Sequence, residues 1–208
     1  MKIAILGSGR IGGGLARLFV HSGHTVLIAN SRGPESLAAM VAALGPAASA
    51  HTVADAVVPA EVVVIAVPWN ATRDLLAPDA VTGKILIDTT NRFRPSDSEP
   101  SSSEQLASWY PGAAVVKSLN TMRSDALEAL ADRPGEPPLA HFVAGDDEPA
   151  KRIVTELVTS IGFDVIDTGD LRTGGRLLQP GGPVFNILLT SEEARLRLAL
   201  SPAVDGRN

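Results

Sequence analysis

No cysteine occurs among the 208 residues, which excludes disulfides, thiolate catalysis and cysteine-ligated metals. No apolar run approaches the roughly 18 residues that cross a bilayer; the longest, VVVIAVPW from Val62 to Trp69, is the size of a strand. The opening MKIAILGSGR reaches glycine too soon for a secretory core. A cytoplasmic protein, neither secreted nor membrane-bound, is therefore expected. A basic excess is missing as well: 18 Lys and Arg against 23 Asp and Glu give a formal net charge of -5. Phosphate backbones select for basic surfaces, so no nucleic-acid partner is expected and the ligands should be small. The four histidines, His21, His24, His51 and His141, lack triad or metal-ligand spacing. They are read as structural, with no catalytic side chain and no metal site assigned.

What is present is a chain 45% hydrophobic and 20% charged, the balance of a single soluble domain with a substantial core. Short β-branched runs alternate with Ala/Leu-rich segments, which predicts α/β architecture with a mainly parallel, doubly wound sheet. Strands are predicted over residues 2–6, 25–29, 61–67, 84–88, 114–118, 139–144 and 164–167. Helices are predicted over 11–21, 34–44, 71–76, 103–109, 124–130, 148–161 and 191–200, the last supported by the capping-box spacing of Thr190 and Glu193. Residues 1–168 form the expected nucleotide-binding domain. Residues 169–208 form a short C-terminal extension, too small for a core of its own, expected to pack on the sheet or on a partner subunit in a homodimer.

GSGRIGG, residues 7 to 13, places Gly7, Gly9 and Gly12 in a GxGxxG pattern straight after a strand and at the start of a helix. That context is what a Rossmann dinucleotide site requires: Gly7 for a tight turn, Gly9 for close approach of a pyrophosphate, and Gly12 for helix packing on the strand. Gly7, Ser8, Gly9, Arg10, Ile11 and Gly12 are the cofactor-binding candidates of the turn. At the end of the second strand, where an acid would bond the ribose 2′-hydroxyl, the chain carries Asn30, Ser31 and Arg32. A hydroxyl donor and a guanidinium fork suit a 2′-phosphate, so the expected cofactor is NADP(H).

Seven stretches carry a wider resemblance: GSGRIGGGLA at the start, NSRGPESL after the second strand, AVPW at 66–69, IDTTN at 87–91, VVKSLNT at 115–121, FVAGDD at 142–147 and GRLLQPGGP at 175–183. Together they resemble the NADPH-dependent reductases of the deazaflavin coenzyme F-420, a fold shared by the cytosolic domains of membrane ferric reductases. The resemblance implies direct hydride transfer between nicotinamide and deazaflavin. It places Ala66, Val67 and Pro68 along the cofactor and Asn120 and Thr121 near the nicotinamide, with Trp69 either walling that site or filling the core.

Arg92, Arg94, Lys117, Arg123, Arg172 and Arg176 are expected near one rim, where an anionic co-substrate such as F-420 would bind; the alternative is scattered solvated cations. FMN or FAD in place of F-420, a flavin or ferric reductase, and a noncatalytic NADPH-binding sensor remain alternative readings. Hydroxy-acid and imine reductases share the glycine turn but add a large helical substrate domain, for which the tail is too short.

Overall fold

The computed structural model of the chain describes residues 1–93, 99–124, 126–127 and 136–201. The first apolar run forms β1 (Lys2–Leu6), which turns through the glycines into α1 (Arg10–His21) and then β2 (Thr25–Ala29). Both strands are buried beyond their first residue, as apolar runs covered on two faces should be. A 3-10 turn at Pro34–Leu37 leads into α2 (Ala38–Leu44), followed by β3 (Ala48–His51), α3 (Val53–Val57) and β4 (Val62–Ile65). The second half contributes β5 (Ile85–Asp88), α4 (Ser102–Trp109), β6 (Ala114–Ser118) and β7 (Ala140–Gly145). It closes with α5 (Glu148–Ser160), β8 (Asp164–Asp167), the short α6 (Gly174–Leu177) and α7 (Ser191–Leu200).

The described strands form one sheet in the order β3-β2-β1-β4-β5-β6-β7-β8. The first six of that order run parallel. β7 pairs antiparallel with β6, and β8 runs parallel to β7. The reversal of strand order beside β1 and β4 is the topological switch of a Rossmann sheet, and it opens a crevice at the carboxyl ends of those strands.

Side chains alternate across the sheet. Ile3, Ile5, Val26 and Val64 pack under α1 and α5, with Phe19, Val154 and Leu157. Ala4, Leu6, Val63 and Ile65 face the other way, against Val57, Leu106 and Tyr110. The last part of the chain covers β7 and β8: Leu178, Val184 and Ala194 pack with Phe142 and Ile166. His141, on β7, is a core side chain. Its ring meets Phe163 edge-on at 4.4 Å, and burial draws its pKa down to about 4, so the imidazole is neutral near pH 7. No described helix is long and apolar enough to cross a membrane.

The helix expected over 71–76 is replaced by a single 3-10 turn at Trp69–Ala71. There Thr72 Oγ1 donates to Trp69 O at 2.7 Å, the side-chain competition that stops short helices. The expected helix over 124–130 lies partly outside the described residues. β3 and α3 were not expected from sequence. The signal for α3 was available, since Thr52 caps it by accepting from Asp55 N and donating to Asp55 Oδ2.

Candidate functional site

The glycine turn is built by exclusion. Gly7 has φ +113°, and a Cβ there would lie 2.2 Å from Ala66 O; its N–H is spent on Ala29 O at 2.8 Å, pinning the turn to β2. A Cβ on Gly12 would lie 1.9 Å from Gly7 O. Two of the three glycines are therefore demanded by the protein's own packing. Gly9 is different: its φ of -74° suits any residue, and an added Cβ would meet nothing within 4 Å. It stands at the N-cap of α1, where the first N–H groups have no partner within the helix and the dipole favours an anion.

Beside the turn lies a cleft of about 550 Å³, within the range of cofactor sites. Gly7, Ser8 and Gly9 form one wall, Asn30, Ser31 and Arg32 a second, and Ala66, Val67 and Pro68 a third. These nine expected residues are brought together. Arg10, Ile11 and Gly12 are not cleft walls: Arg10 is exposed at the helix start, Ile11 packs against the core, and Gly12 lies buried under the turn. Val53, Asn70, Ala71, Asp74 and Leu75 also line the cleft and were not anticipated. Trp69 turns away from it and stacks on Trp109, with centroids 5.3 Å apart, so the tryptophan fixes the Pro68 loop from behind.

Asn30 organises the second wall. Its Nδ2 donates to Ser8 Oγ and to Ser36 Oγ, both at 3.0 Å, which ties β2 to the glycine turn. Its Oδ1 accepts from Arg32 N at 2.9 Å, an Asx turn that curls the chain back. Ser31 and Arg32 are left exposed at the mouth of the cleft, and among the described residues neither side chain has a hydrogen-bond or ion-pair partner. The cleft thus offers a cradle that a Cβ would fill at Gly9, helix-end donors, and a hydroxyl with an unpaired guanidinium at its mouth. That donor set fits a dinucleotide carrying a 2′-phosphate.

Further along the same edge the structure corrects one expectation. Lys117 is fully buried, as is its register partner Asp88 on β5. Lys117 Nζ lies 3.0 Å from Asp88 Oδ2 and also donates to Thr90 O. Asp88 accepts from Ser103 Oγ at 2.7 Å and from Thr90 N and Oγ1 at 2.9 and 2.7 Å. Burial pushes the Asp88 carboxyl upward, but Lys117 and these donors outweigh it and hold it below the usual carboxylate range. For Lys117 burial dominates over Asp88 and lowers its pKa. The lysine is an internal tie between the loop after β5 and the start of α4, not a rim cation, because the sheet is covered on both faces where it stands.

Of the other rim cations, Arg92 and Arg176 meet at Glu99. Arg92 pairs with Glu99, while Arg176 donates to Glu99 O at 2.6 Å and lies 3.8 Å from Glu104. Arg172 and Arg123 are exposed, and Arg94 lies outside the described residues. Asn120 and Thr121 are buried beyond β6, after Leu119, whose φ of +58° is a strained value for leucine. Asn91 Nδ2 donates to Asn120 O at 3.1 Å, which makes Asn91 Oδ1 the acceptor of Asn120 Nδ2 at 3.0 Å. Asn120 Nδ2 also donates to Leu178 O at 2.6 Å. Both its amide hydrogens are then used, and its Oδ1 is buried with no partner among the described residues; Gln179 Oε1 and Arg92 Nη1 are in the same condition. Asn91 belongs to this knot and Gln179 follows Leu178, whose carbonyl closes it; neither was read as a site residue, though both sit inside the motifs IDTTN and GRLLQPGGP.

The profile of a family described as NADP oxidoreductase, coenzyme F-420-dependent, matches residues 2–92. Among solved structures, a hypothetical protein of Sinorhizobium meliloti superposes with a TM-score of 0.83 at 34% identity, over 92% of this chain and 96% of that one. A protein of Arthrobacter sp. FB24 assigned as an F-420-dependent NADP reductase gives 0.70 at 32% identity, over 82% of this chain and 86% of that one. The metalloreductase STEAP3 of Rattus norvegicus is 34% identical over 176 residues, 82% of this chain but 34% of the rat protein. The chain thus spans about a third of that curated relative's length.

Proposed function

The chain belongs to the family of coenzyme F-420-dependent NADP oxidoreductases, and from that premise we propose that it transfers a hydride directly between NADP(H) and coenzyme F-420. The observation that carries the donor half is the selector loop: Asn30 holds Ser31 and Arg32, with unpaired side chains, at the mouth of the glycine-turn cleft. On this reading Gly9 and the start of α1 receive the pyrophosphate, Ser31 and Arg32 the 2′-phosphate, and Ala66 to Pro68 the chain between adenosine and nicotinamide. The nicotinamide supplies or receives the hydride. The protein's part is to bind, align and exclude water, which hydride transfer between two rings chiefly needs.

The acceptor half rests on the knot at Asn91, Asn120 and Leu178, which Gln179 follows. β4 and β6 are two strand spacings apart, about 10 Å, so the knot lies beyond the Pro68 end of the cleft along the same sheet edge. A buried acceptor without a donor costs about 1–3 kcal/mol. Asn120 Oδ1 and Gln179 Oε1 are two such acceptors, and Arg92, next to Asn91 in sequence, keeps a buried donor at Nη1, a set of groups suited to a carboxamide or to the pyrimidinedione edge of a deazaflavin. Arg172 and Arg176 would then meet the anionic tail of F-420.

Two measurements test this reading. Arg32→Ala is expected to weaken NADPH binding by roughly 1.5–3 kcal/mol, the scale of a charge-assisted hydrogen bond, while NADH binding changes little; equal losses would refute the selector assignment. In rapid mixing of protein, NADPH and oxidised F-420, the nicotinamide and deazaflavin absorbances should fall together. The likeness to STEAP3 favours a second reading, electron delivery to flavin or ferric iron. That reading wins if FMN, FAD or chelated iron consumes NADPH while the deazaflavin band stays constant.

A further inference from the structure

One wall of the cleft carries a charge that phosphate binding does not use. Asp74 lines the cleft together with Arg32, and among the described residues its carboxylate has no ion pair or hydrogen bond. A carboxylate disfavours a neighbouring dianion, so its presence calls for a ligand group that donates a hydrogen bond. Val53, Ala71 and Leu75 line the cleft with it and supply apolar surface for a flat ring, and a guanidinium such as that of Arg32 stacks on aromatic planes. If Ser31 and Arg32 hold the 2′-phosphate of the adenosine ribose, the base on that ribose lies next to the same loop, between the two walls.

We infer that Asp74 accepts a hydrogen bond from the exocyclic amine of the adenine and so selects adenine over hypoxanthine dinucleotides. The inference rests on the NADP reading above, and the test separates the two. Calorimetric titration compares NADPH with its deamino analogue, nicotinamide hypoxanthine dinucleotide phosphate in reduced form, which puts a carbonyl acceptor where adenine has the amine donor. The wild-type chain should bind the analogue roughly tenfold more weakly, the scale of one hydrogen bond to a charged group. Asp74→Ala should bring the two affinities within about twofold. Asp74→Asn, whose amide can donate to the carbonyl, should equalise or invert them, and the retained binding of the analogue shows that the variants are folded. Equal binding of both dinucleotides by the wild type, or an unchanged ratio in both variants, overturns the assignment. Failure of the wild type to bind either dinucleotide overturns the NADP reading and this inference with it.

Discussion

Lys117→Met should lower the stability of the chain by about 3–5 kcal/mol, the cost of leaving one member of a buried ion pair alone. For a chain of this size that is a drop of roughly 2–4 °C in Tm per kcal/mol, readable by thermal or urea unfolding. The magnitude follows from the surroundings: both side chains are fully buried, and water cannot screen the charge left on Asp88. Ser103 and Thr90 would still donate to that carboxylate, which sets the loss near the middle of the range and not at its top. Adding Asp88→Asn removes the stranded charge, so the double variant should recover more than half of the loss. A single variant melting within about 1 kcal/mol of the wild type would show that the pair is not a structural tie.

The second large effect separates two glycines of one motif. Gly12→Ala forces a methyl to within 1.9 Å of Gly7 O and 3.3 Å of Ala66 Cβ, so the turn must lift off β1 and β4. Overpacking costs about 1–3 kcal/mol where side chains can yield, and a backbone carbonyl yields less, so stability and NADPH binding should fall together. Gly9→Ala meets no protein atom. It should change stability by less than about 1 kcal/mol, alanine being a poorer N-cap than glycine. On the proposed reading its methyl nevertheless stands where the pyrophosphate would approach, and NADPH affinity should drop at least tenfold, on the order of 1.4 kcal/mol. Wild-type affinity in Gly9→Ala, measured by the same titration, would move the pyrophosphate away from this turn.

These contrasts also explain what was legible in the sequence. Gly7 and Gly12 could be read because backbone demands are written in residue type: a positive φ and a 1.9 Å approach admit glycine alone. β1 and β2 were legible to the residue because each carries four successive apolar residues, the mark of strands covered on two faces. ASAH, which forms β3, has no β-branched residue and no Phe, Trp or Tyr, and lies half-buried at the sheet edge, so it left no pattern. The direction of β7 was hidden for another reason, since a strand buried along its whole length looks the same read either way. Lys117 misled because its partner Asp88 stands on a different strand, and pairing across a sheet is not a property of either local segment. Asn30 was expected to end the strand; that its amide also ties Ser8 to Ser36 depends on the β1–α1 turn meeting the β2–α2 connection. Asp74 gave no sign, because a lone acid in a polar loop is more often solvated than recruited.

The reversal of β7 and β8 has one more consequence. Because β7 and β8 run away from the cleft edge, opposite in sense to β6, the chain must turn back after β8 to reach that edge, and it does so across Phe142 and Ile166 until Leu178 O meets Asn120 and Asn186 N meets Thr121 O. On the proposed reading the donor half is encoded in an early length of polypeptide around residues 7–75, whereas the acceptor half joins Asn91 and Asn120 to the later strap around 171–190. On that reading, changes confined to the strap reach the acceptor side of the sheet edge while the nucleotide cleft, built from other residues, keeps its walls.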